Sequence, residues 1–235
     1  MRFATPLIPA TLIRRYKRFL ADVLLEDGPT VVAHCPNPGA MTGQADPGAR
    51  IWLEPNDDPR KKLDYGWRLT ELGGGHFCCV DTGGANRTVE AALRAGAVPG
   101  LDVSGGLRAE VPYADGSRVD FVLGGEVFVE VKAVSLSRAP GLAEFPDTRT
   151  ARGARHMDDL AGVVAGGRRA VVLFLVQRTD CDRVGVAADI DPVYAAAVAR
   201  ARDAGVEVMA LGTKVDTVGV TATGRLPVEL PPLSS

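Results

Sequence analysis

Short runs of alternating apolar and polar residues, rich in β-branched and aromatic side chains, dominate the first third of the chain. Such runs predict strands. They lie at 11–13 leading into Tyr16, Phe19 and Leu20, and at 30–33, 51–53 and 77–81. Turn-rich loops separate them, including Cys35-Pro36-Asn37-Pro38-Gly39 and Asn56-Asp57-Asp58-Pro59. Because no helical period competes with this pattern, we predict a small antiparallel β-barrel.

The pattern changes near residue 85, where apolar residues begin to recur at helical spacing. We predict helices at 88–95, with Asn86 as its cap, at 150–164 and at 193–204, and strands at 107–113, 117–123, 127–134, 170–176 and 206–211. Gly124-Gly125 predicts a tight hairpin between two of these strands. The order of elements predicts an α/β (α+β) mixed sheet with helices on both sides. We therefore divide the chain into a barrel at 1–85 and a mixed-sheet domain at 86–235.

Composition narrows the class of protein without indicating a partner. The chain has 235 residues, 46% hydrophobic and 24% charged, which excludes a disordered chain. No apolar run has the length of a membrane span, and no apolar signal-peptide core follows the N-terminus. The four cysteines form no C-x-x-C pair, so we expect reduced thiols in a cytoplasmic protein. A net charge of −2 means that any contact with nucleic acid must come from local basic patches.

The predicted hairpin at 117–134 carries the most informative polar residues. Alternation along a strand places Glu130 and Lys132 on one face, and Asp120 lies on the neighbouring strand between apolar residues. Buried charges need partners, and Mg²⁺ is the natural partner of two carboxylates. Together with the lysine they are the parts of a metal-dependent phosphodiesterase, and Glu110 adds a third acid. The alternative is a solvated sheet face with a Glu130–Lys132 pair.

Basic residues cluster at three places. Two clusters lie in the predicted barrel: Arg14, Arg15, Lys17 and Arg18, which interleave with aromatic residues, and Arg60, Lys61 and Lys62. This pattern suits a groove that follows a nucleic-acid backbone, although a solvated strand edge guarded by charge has the same pattern. In the third cluster, Arg149, Arg152 and His156 share one helix edge, either to contact a phosphate or as a solvated face.

Several long segments resemble the sugar fermentation stimulation protein family. They are ATLIRRYKRFLAD at 10–22, HCPNPGAMTG at 34–43, RVDF at 118–121, FVEVK at 128–132, FPD at 145–147 and TxRG at 150–153. The resemblance runs nearly end to end. It implies an N-terminal OB-like barrel, a PD-(D/E)XK nuclease-like domain and DNA binding. One departure is visible: Pro38 replaces the threonine expected in the loop, so a ring stands in place of a hydroxyl.

The resemblance places the nuclease motif on Asp120, Glu130 and Lys132, with Glu110 as the preceding acid. We expect Asp120, Glu130 and Glu110 to hold Mg²⁺ or Mn²⁺, Lys132 to position the attacking water, and His156 and Arg152 to contact the phosphate. The basic clusters would bind DNA, and a homodimer is possible for this fold. Two alternatives remain: a non-cleaving DNA-binding transcriptional regulator linked to sugar (maltose-type) metabolism, and an enzyme acting on a small phosphate ester.

Overall fold

The first six strands of the computed structural model, which describes residues 1–114 and 116–230, build a small barrel. They are β1 (Ile8–Tyr16), β2 (Leu20–Leu25), β3 (Thr30–His34), β4 (Arg50–Pro55), β5 (Tyr65–Leu72) and β6 (His76–Cys79). Their order is β3-β2-β1-β4-β5-β6, and a further pairing of β3 with β5 closes the first five strands into an OB-like barrel. The predicted barrel is confirmed.

Alternation along the strands fills the barrel. Leu12 of β1, Val23 of β2 and Trp67 of β5 point inward and are fully buried, and their strand neighbours face outward. Strand β5 was not predicted, because Gly66 and Arg68 interrupt its apolar pattern. The run predicted to lead from 11 to 20 is two strands joined by a tight turn.

The mixed sheet and its helices follow the barrel. The elements are α1 (Gly84–Arg94), β7 (Leu107–Ala114), β8 (Ser117–Leu123), β9 (Val127–Val134), β10 (Leu136–Ala139), β11 (Gly141–Phe145), α2 (Ala151–Ala165), β12 (Arg169–Val176), β13 (Cys181–Val186), α3 (Pro192–Asp203), β14 (Glu207–Asp216), β15 (Gly219–Arg225) and β16 (Val228–Glu229). The main sheet has the order β15-β14-β12-β9-β8-β7, with β9, β12 and β14 parallel. The end of the predicted second domain, 231–235, lies outside the described residues.

Helices cover both faces of this sheet, as predicted. Helix α1 packs Val89 and Leu93 on one face, while α2 and α3 pack Met157, Leu160 and Tyr194 on the other. Strand β12 is central, and its side chains are buried alternately in the two cores. This explains why its sequence is a continuous apolar run.

Further features differ from the prediction, including β15, for which no strand was predicted. A second sheet, β10-β11-β13-β16, was missed because its strands are short and only partly buried. Helix α1 begins at Gly84, earlier than predicted, so Asn86 lies within its first turn and is not its cap.

Hydrogen bonds and a shared apolar cluster join the barrel to the second part of the chain. The Gln44 side chain donates to the Ser135 carbonyl oxygen at 2.9 Å, and the Cys79 N–H donates to the Gln177 carbonyl oxygen at 2.7 Å. Leu7, Leu69 and Val215 pack together in the shared cluster. Among the residues described, no helix has the length and apolar character needed to cross a membrane.

Candidate active site and nucleic-acid interface

The β8–β9 hairpin places the candidate acidic site where its two strands separate. The ladder runs from Leu123 opposite Val127 to Phe121 opposite Val129 and then ends. Beyond this point the Asp120 side chain replaces the main-chain partner, since its Oδ2 accepts a hydrogen bond from the Val131 N–H at 2.6 Å. Positive φ at Gly124 and Gly125 forms the predicted hairpin turn. The site therefore begins where a side chain replaces a main-chain partner.

Glu130 is deeply buried, at 4% exposure. Its Oε1 accepts hydrogen bonds from Lys132 Nζ at 2.7 Å and from His156 Nδ1 of α2 at 2.5 Å. Burial alone would raise the pKa of Glu130, but the bonds from His156 and Lys132 outweigh it and hold that pKa below its usual value. Glu130 is therefore a carboxylate at neutral pH.

The pKa of Asp120 is shifted in the opposite direction from that of Glu130. Its burial, followed by the negative charge of Glu130, raises the pKa of Asp120 to about 6, against the opposing effect of the Val131 N–H and Asn86. The Asn86 amide donates to Asp120 Oδ1 at 2.7 Å. The sequence analysis predicted Asn86 as a helix cap, not as a partner of Asp120. The signal for this partner was a polar residue in the first turn of an amphipathic helix.

The two carboxylates fit a hard divalent cation. Glu130 Oε2 is buried without a hydrogen-bond partner among the described residues, and a buried carboxylate oxygen needs one. A cation beside it would also relieve the repulsion that raises the pKa of Asp120. Within residues 1–114 and 116–230 there is no group of three acidic, histidine or cysteine side chains arranged for a metal. Mg²⁺ is commonly bound by one or two carboxylates plus water and substrate phosphate.

Glu110 does not join this site, and the expectation that it would is corrected. It lies on β7 between the residues paired with Phe121 and Val119, which places it across from Asp120. Its side chain is exposed, however, and its backbone has a φ of 52°. The left-handed backbone interrupts the regular alternation that was expected to bring the third acid to the pair.

His156 supports Glu130 and is not an open phosphate contact. The ring is 3% exposed, and both of its nitrogens are used: Nδ1 bonds Glu130, and Nε2 accepts from Arg152 Nε at 3.2 Å. An accepting Nε2 means that Nδ1 carries the proton and donates to Glu130. The prediction of one helix edge holds for Arg152 and His156 but not for Arg149, which precedes the N-cap Thr150. His156 positions the Glu130 carboxylate and does not face a ligand directly. Arg152 remains exposed at the outer end of this chain of bonds.

A cleft of about 400 Å³ gives access to Lys132. The barrel lines one side with Arg18 and the segment 37–39, and the second part of the chain lines the other with Lys132, Ser135 and Arg149. The cleft brings together three cations that lie far apart in the sequence, namely Arg18, Lys132 and Arg149. The Lys132 side chain is 11% exposed, and Lys132 lines the cleft.

The loop Cys35-Pro36-Asn37-Pro38-Gly39 forms one wall of the cleft. Arg15 holds it by donating to the carbonyl oxygens of Asn37 at 2.7 Å and Gly39 at 2.9 Å. The Met41 N–H donates to Asp147 Oδ2 at 3.3 Å. A Cβ at Gly39 would collide with the Asp147 carboxylate, so only glycine fits without displacing it. Asp147 and Gly39 therefore set the wall, a role that the sequence reasoning did not assign.

The predicted DNA-binding side chains fall into two groups. Arg14 is paired with Asp22 at 2.7 Å, Arg60 with Asp58 at 2.8 Å, and Arg15 holds the loop just described. These three are therefore already engaged within the protein, although the paired side chains of Arg14 and Arg60 remain exposed. The others have no carboxylate within ion-pair distance in the described part of the chain: Lys17, Arg18, Lys61, Lys62, Arg149 and Arg152.

The turn between β1 and β2 presents two of these cations. Lys17 and Arg18 have φ values of 48° and 63°, a left-handed conformation that costs a non-glycine residue about 1 kcal/mol or more. Both side chains are exposed. Glycine or asparagine would adopt this left-handed backbone at a lower cost in free energy. The presence of two basic residues in the turn therefore points to a use for their charge.

Two family models cover most of the chain. The model described as the SfsA N-terminal OB domain matches residues 13–80, and the sugar fermentation stimulation protein RE domain matches residues 83–219. The chain is similar to curated relatives named sugar fermentation stimulation protein homolog. One from Ruegeria sp. (strain TM1040) is 56% identical over 97% of this chain and all of the relative. One from Rhodospirillum centenum (strain ATCC 51521 / SW) is 50% identical over 96% of this chain and 99% of the relative.

A solved structure has the same architecture. It is described as the structure of Pyrococcus furiosus SfsA in complex with Ca²⁺, and it is 26% identical to this chain. The two superpose with a TM-score of 0.87 over 98% of each chain. The barrel and the mixed sheet therefore keep the same relative arrangement in the two proteins.

Proposed function

The chain belongs to the sugar fermentation stimulation protein family, and we propose that it is a DNA-binding protein with a metal-dependent phosphodiesterase site. One observation carries the proposal. Glu130 keeps a buried carboxylate oxygen without a partner among the described residues, beside a second carboxylate and a lysine that faces an open cleft. A purely structural ion pair has no need of the second acid, which here costs stability.

Asp120 and Glu130 would hold Mg²⁺ or Mn²⁺. The Ca²⁺ in the Pyrococcus furiosus structure supports a divalent cation in a protein of this fold. When bound, such a cation lowers the pKa of its water and stabilises negative charge on a phosphate oxygen. Asn86 and His156 hold the two carboxylates in place through the bonds described above.

Lys132 would act on the water or on the phosphate. Glu130 Oε1 fixes its ammonium at 2.7 Å, and the cleft gives a phosphodiester access to it. An ammonium already in place beside the reacting group stabilises developing charge without further reorganisation. Arg18 and Arg149, on opposite walls of the cleft, would hold the flanking phosphates.

A cleavage assay with linear duplex, circular and single-stranded DNA tests the proposal. Each DNA is incubated with Mg²⁺, with Mn²⁺ and with chelator. We expect metal-dependent products from the wild type and loss of cleavage in Lys132→Ala, with binding nearly intact. Lys214→Ala is the matched control, since this lysine is 76% exposed on β14 and does not line the cleft at Lys132. Equal loss of binding and cleavage in Lys132→Ala would contradict the assigned role.

The second candidate is a DNA-binding protein without turnover, such as a transcriptional regulator linked to sugar metabolism. The observation that favours it is the exposed position of Glu110, because the described residues then bring only two carboxylates together. Purified wild-type protein that binds DNA but never cuts it with either metal would support this candidate over the first.

A further inference from the structure

An exposed aromatic pair lies on the barrel, outside the acidic site. Phe19, at the end of the β1–β2 turn, is 45% exposed and stacks on His34 of β3 with ring centroids 6.4 Å apart and planes at 19°. Burial and the nearby Arg68 lower the pKa of His34, so its ring is neutral at pH 7. An exposed aromatic face of this kind is a surface on which a nucleic-acid base can stack.

A cavity of about 710 Å³ opens beside this pair. His34 and Leu20 line one side of it, and Lys61, Lys62 and Tyr65 come from β5 and the loop before it. The lining therefore combines apolar and aromatic surface with cations, which is the composition that receives bases and phosphates together.

The charges in this cavity leave an excess of positive charge. Its two carboxylates, Glu54 and Asp81, are both bonded to Arg68, at 2.7 Å and 2.6 Å. Lys61 and Lys62 have no carboxylate within ion-pair distance among the described residues. The cavity thus repels a cation and attracts a polyanion.

The barrel cavity and the cleft at Lys132 are neighbours along the same surface. Pro36 and Asp81 line the barrel cavity, and the next residues in each segment, Asn37 and Thr82, line the cleft. The Thr82 hydroxyl donates to the Pro36 carbonyl oxygen at 3.1 Å, which joins the two segments at the boundary. The two spaces therefore adjoin each other at this boundary.

We propose that the path from the Phe19–His34 pair, through the barrel cavity and into the cleft at Lys132, binds a single strand of DNA. This assignment rests on the proposed function and adds the form of its substrate. Bases stack on the aromatic pair, which requires unpaired bases because a duplex hides their faces. Lys61 and Lys62 contact the phosphates, and the strand continues past Arg18 to Lys132.

The test measures binding of a labelled 12-nucleotide oligothymidine and of a 12-base-pair duplex to the full chain in chelator, by fluorescence anisotropy. We expect the wild type to bind the single strand more tightly. Stacking of one base is worth about 1–3 kcal/mol, so Phe19→Ala should weaken single-strand binding roughly 5- to 150-fold. Phe19→Leu, which keeps apolar bulk without a ring, should behave like the alanine variant, whereas Phe19→Trp should keep affinity close to the wild type.

Leu24→Ala is the matched control, because Leu24 is also an exposed apolar residue of the barrel, at 46%, but lines neither cavity. Its affinity should not change. Single-strand affinity that survives in Phe19→Ala, or tighter binding of the duplex, would overturn the inference, and wild-type cleavage would then leave the proposed function standing. Tighter binding of an oligouridine would overturn the assignment to DNA. A wild type that neither binds nor cuts any DNA would remove both proposals.

Discussion

The β8–β9 hairpin and the outer face of the barrel both carry several charged side chains, but they hold them in opposite ways. At the hairpin, the buried Glu130 is bonded to Lys132, which is largely covered, and His156 and Arg152 extend the chain of bonds. On the barrel, Lys61 and Lys62 are exposed and have no carboxylate partner among the described residues.

The difference agrees with the roles proposed for the two regions. A group that assists a reaction must already be in place, so it is buried and held by neighbours, even where like charges then raise the pKa of a carboxyl such as Asp120. A group that holds a phosphate gains most when its charge is free and solvated until the ligand arrives. Burial and pairing therefore separate the candidate catalytic side chains from the candidate binding side chains more sharply than residue type does.

The largest expected effect comes from removing the buried charge at the hairpin. Glu130→Gln keeps the shape of the side chain but loses the ion pair with Lys132 and the candidate metal ligand. We expect cleavage to fall on the order of 10³-fold, with DNA affinity in chelator nearly unchanged. Glu126→Gln, an exposed glutamate at the turn of the same hairpin, is the control. A parallel loss of affinity and cleavage would contradict the division of roles between the hairpin and the barrel face, since the hairpin would then also contribute to binding.

A pH dependence of stability should report the crowded charges at the hairpin. The pKa of Asp120 is about 6 in the folded protein, against an ordinary value of 3.8. The folded state therefore binds more protons than the unfolded state between these values, and stability falls as the pH rises through this window.

Asp120→Asn removes this dependence. Between about pH 4 and pH 7, the metal-free wild type should lose about 1–3 kcal/mol more free energy of unfolding than the variant. Urea denaturation in chelator measures this difference, with the exposed Asp57→Asn as the control. Equal slopes of the free energy of unfolding against pH for the wild type and Asp120→Asn would show that the pKa of Asp120 is not raised in the folded protein.

The loop between the two regions should respond to a single methyl group. Gly39→Ala places a Cβ against the Asp147 carboxylate, so that carboxylate or the loop must move and the bond from the Met41 N–H is lost. We expect a cost of about 1–3 kcal/mol in thermal or chemical unfolding, with reduced cleavage. Gly73→Ala, where a Cβ meets only open space, should be neutral. Wild-type stability and activity in Gly39→Ala would mean that the wall is more adaptable than its contacts indicate.

The smallest effect separates two neighbouring basic residues of the barrel. Lys62 has no carboxylate partner among the described residues, whereas Arg60 is paired with Asp58 at 2.8 Å. Lys62→Ala should weaken single-stranded DNA binding several-fold and reduce the slope of log affinity against log salt by about 0.7. Arg60→Ala should change both quantities less. If the two variants behave alike, pairing does not distinguish binding cations from structural ones.

Much of the fold was predictable because it depends on local patterns. The bounds of β8 and β9 are those predicted, since alternation and Gly124-Gly125 act within one hairpin. The family was predictable for the same reason, because its motifs are continuous segments, and the family models confirm it. The short strands of the second sheet were missed, since they have too few residues for a period to appear.

The candidate site was predictable only in part. Asp120, Glu130 and Lys132 could be chosen from one hairpin, but the partner of Asp120 comes from α1 and the partner of Glu130 from α2. Glu110 shows the limit of alternation, because one left-handed residue changes where a side chain lies.

Residues close together along the chain specify the two-part architecture, the hairpin that carries the acids and the lysine, and the positions of the basic clusters. Which of the charges are free could be seen only in the folded protein. Arg14 and Lys17 are alike in a sequence and both are exposed. Arg14, however, is paired with Asp22 across a hairpin, whereas Lys17 has no carboxylate within ion-pair distance among the described residues. Whether a charge is neutralised depends on the three-dimensional distance to a partner and on the water between them.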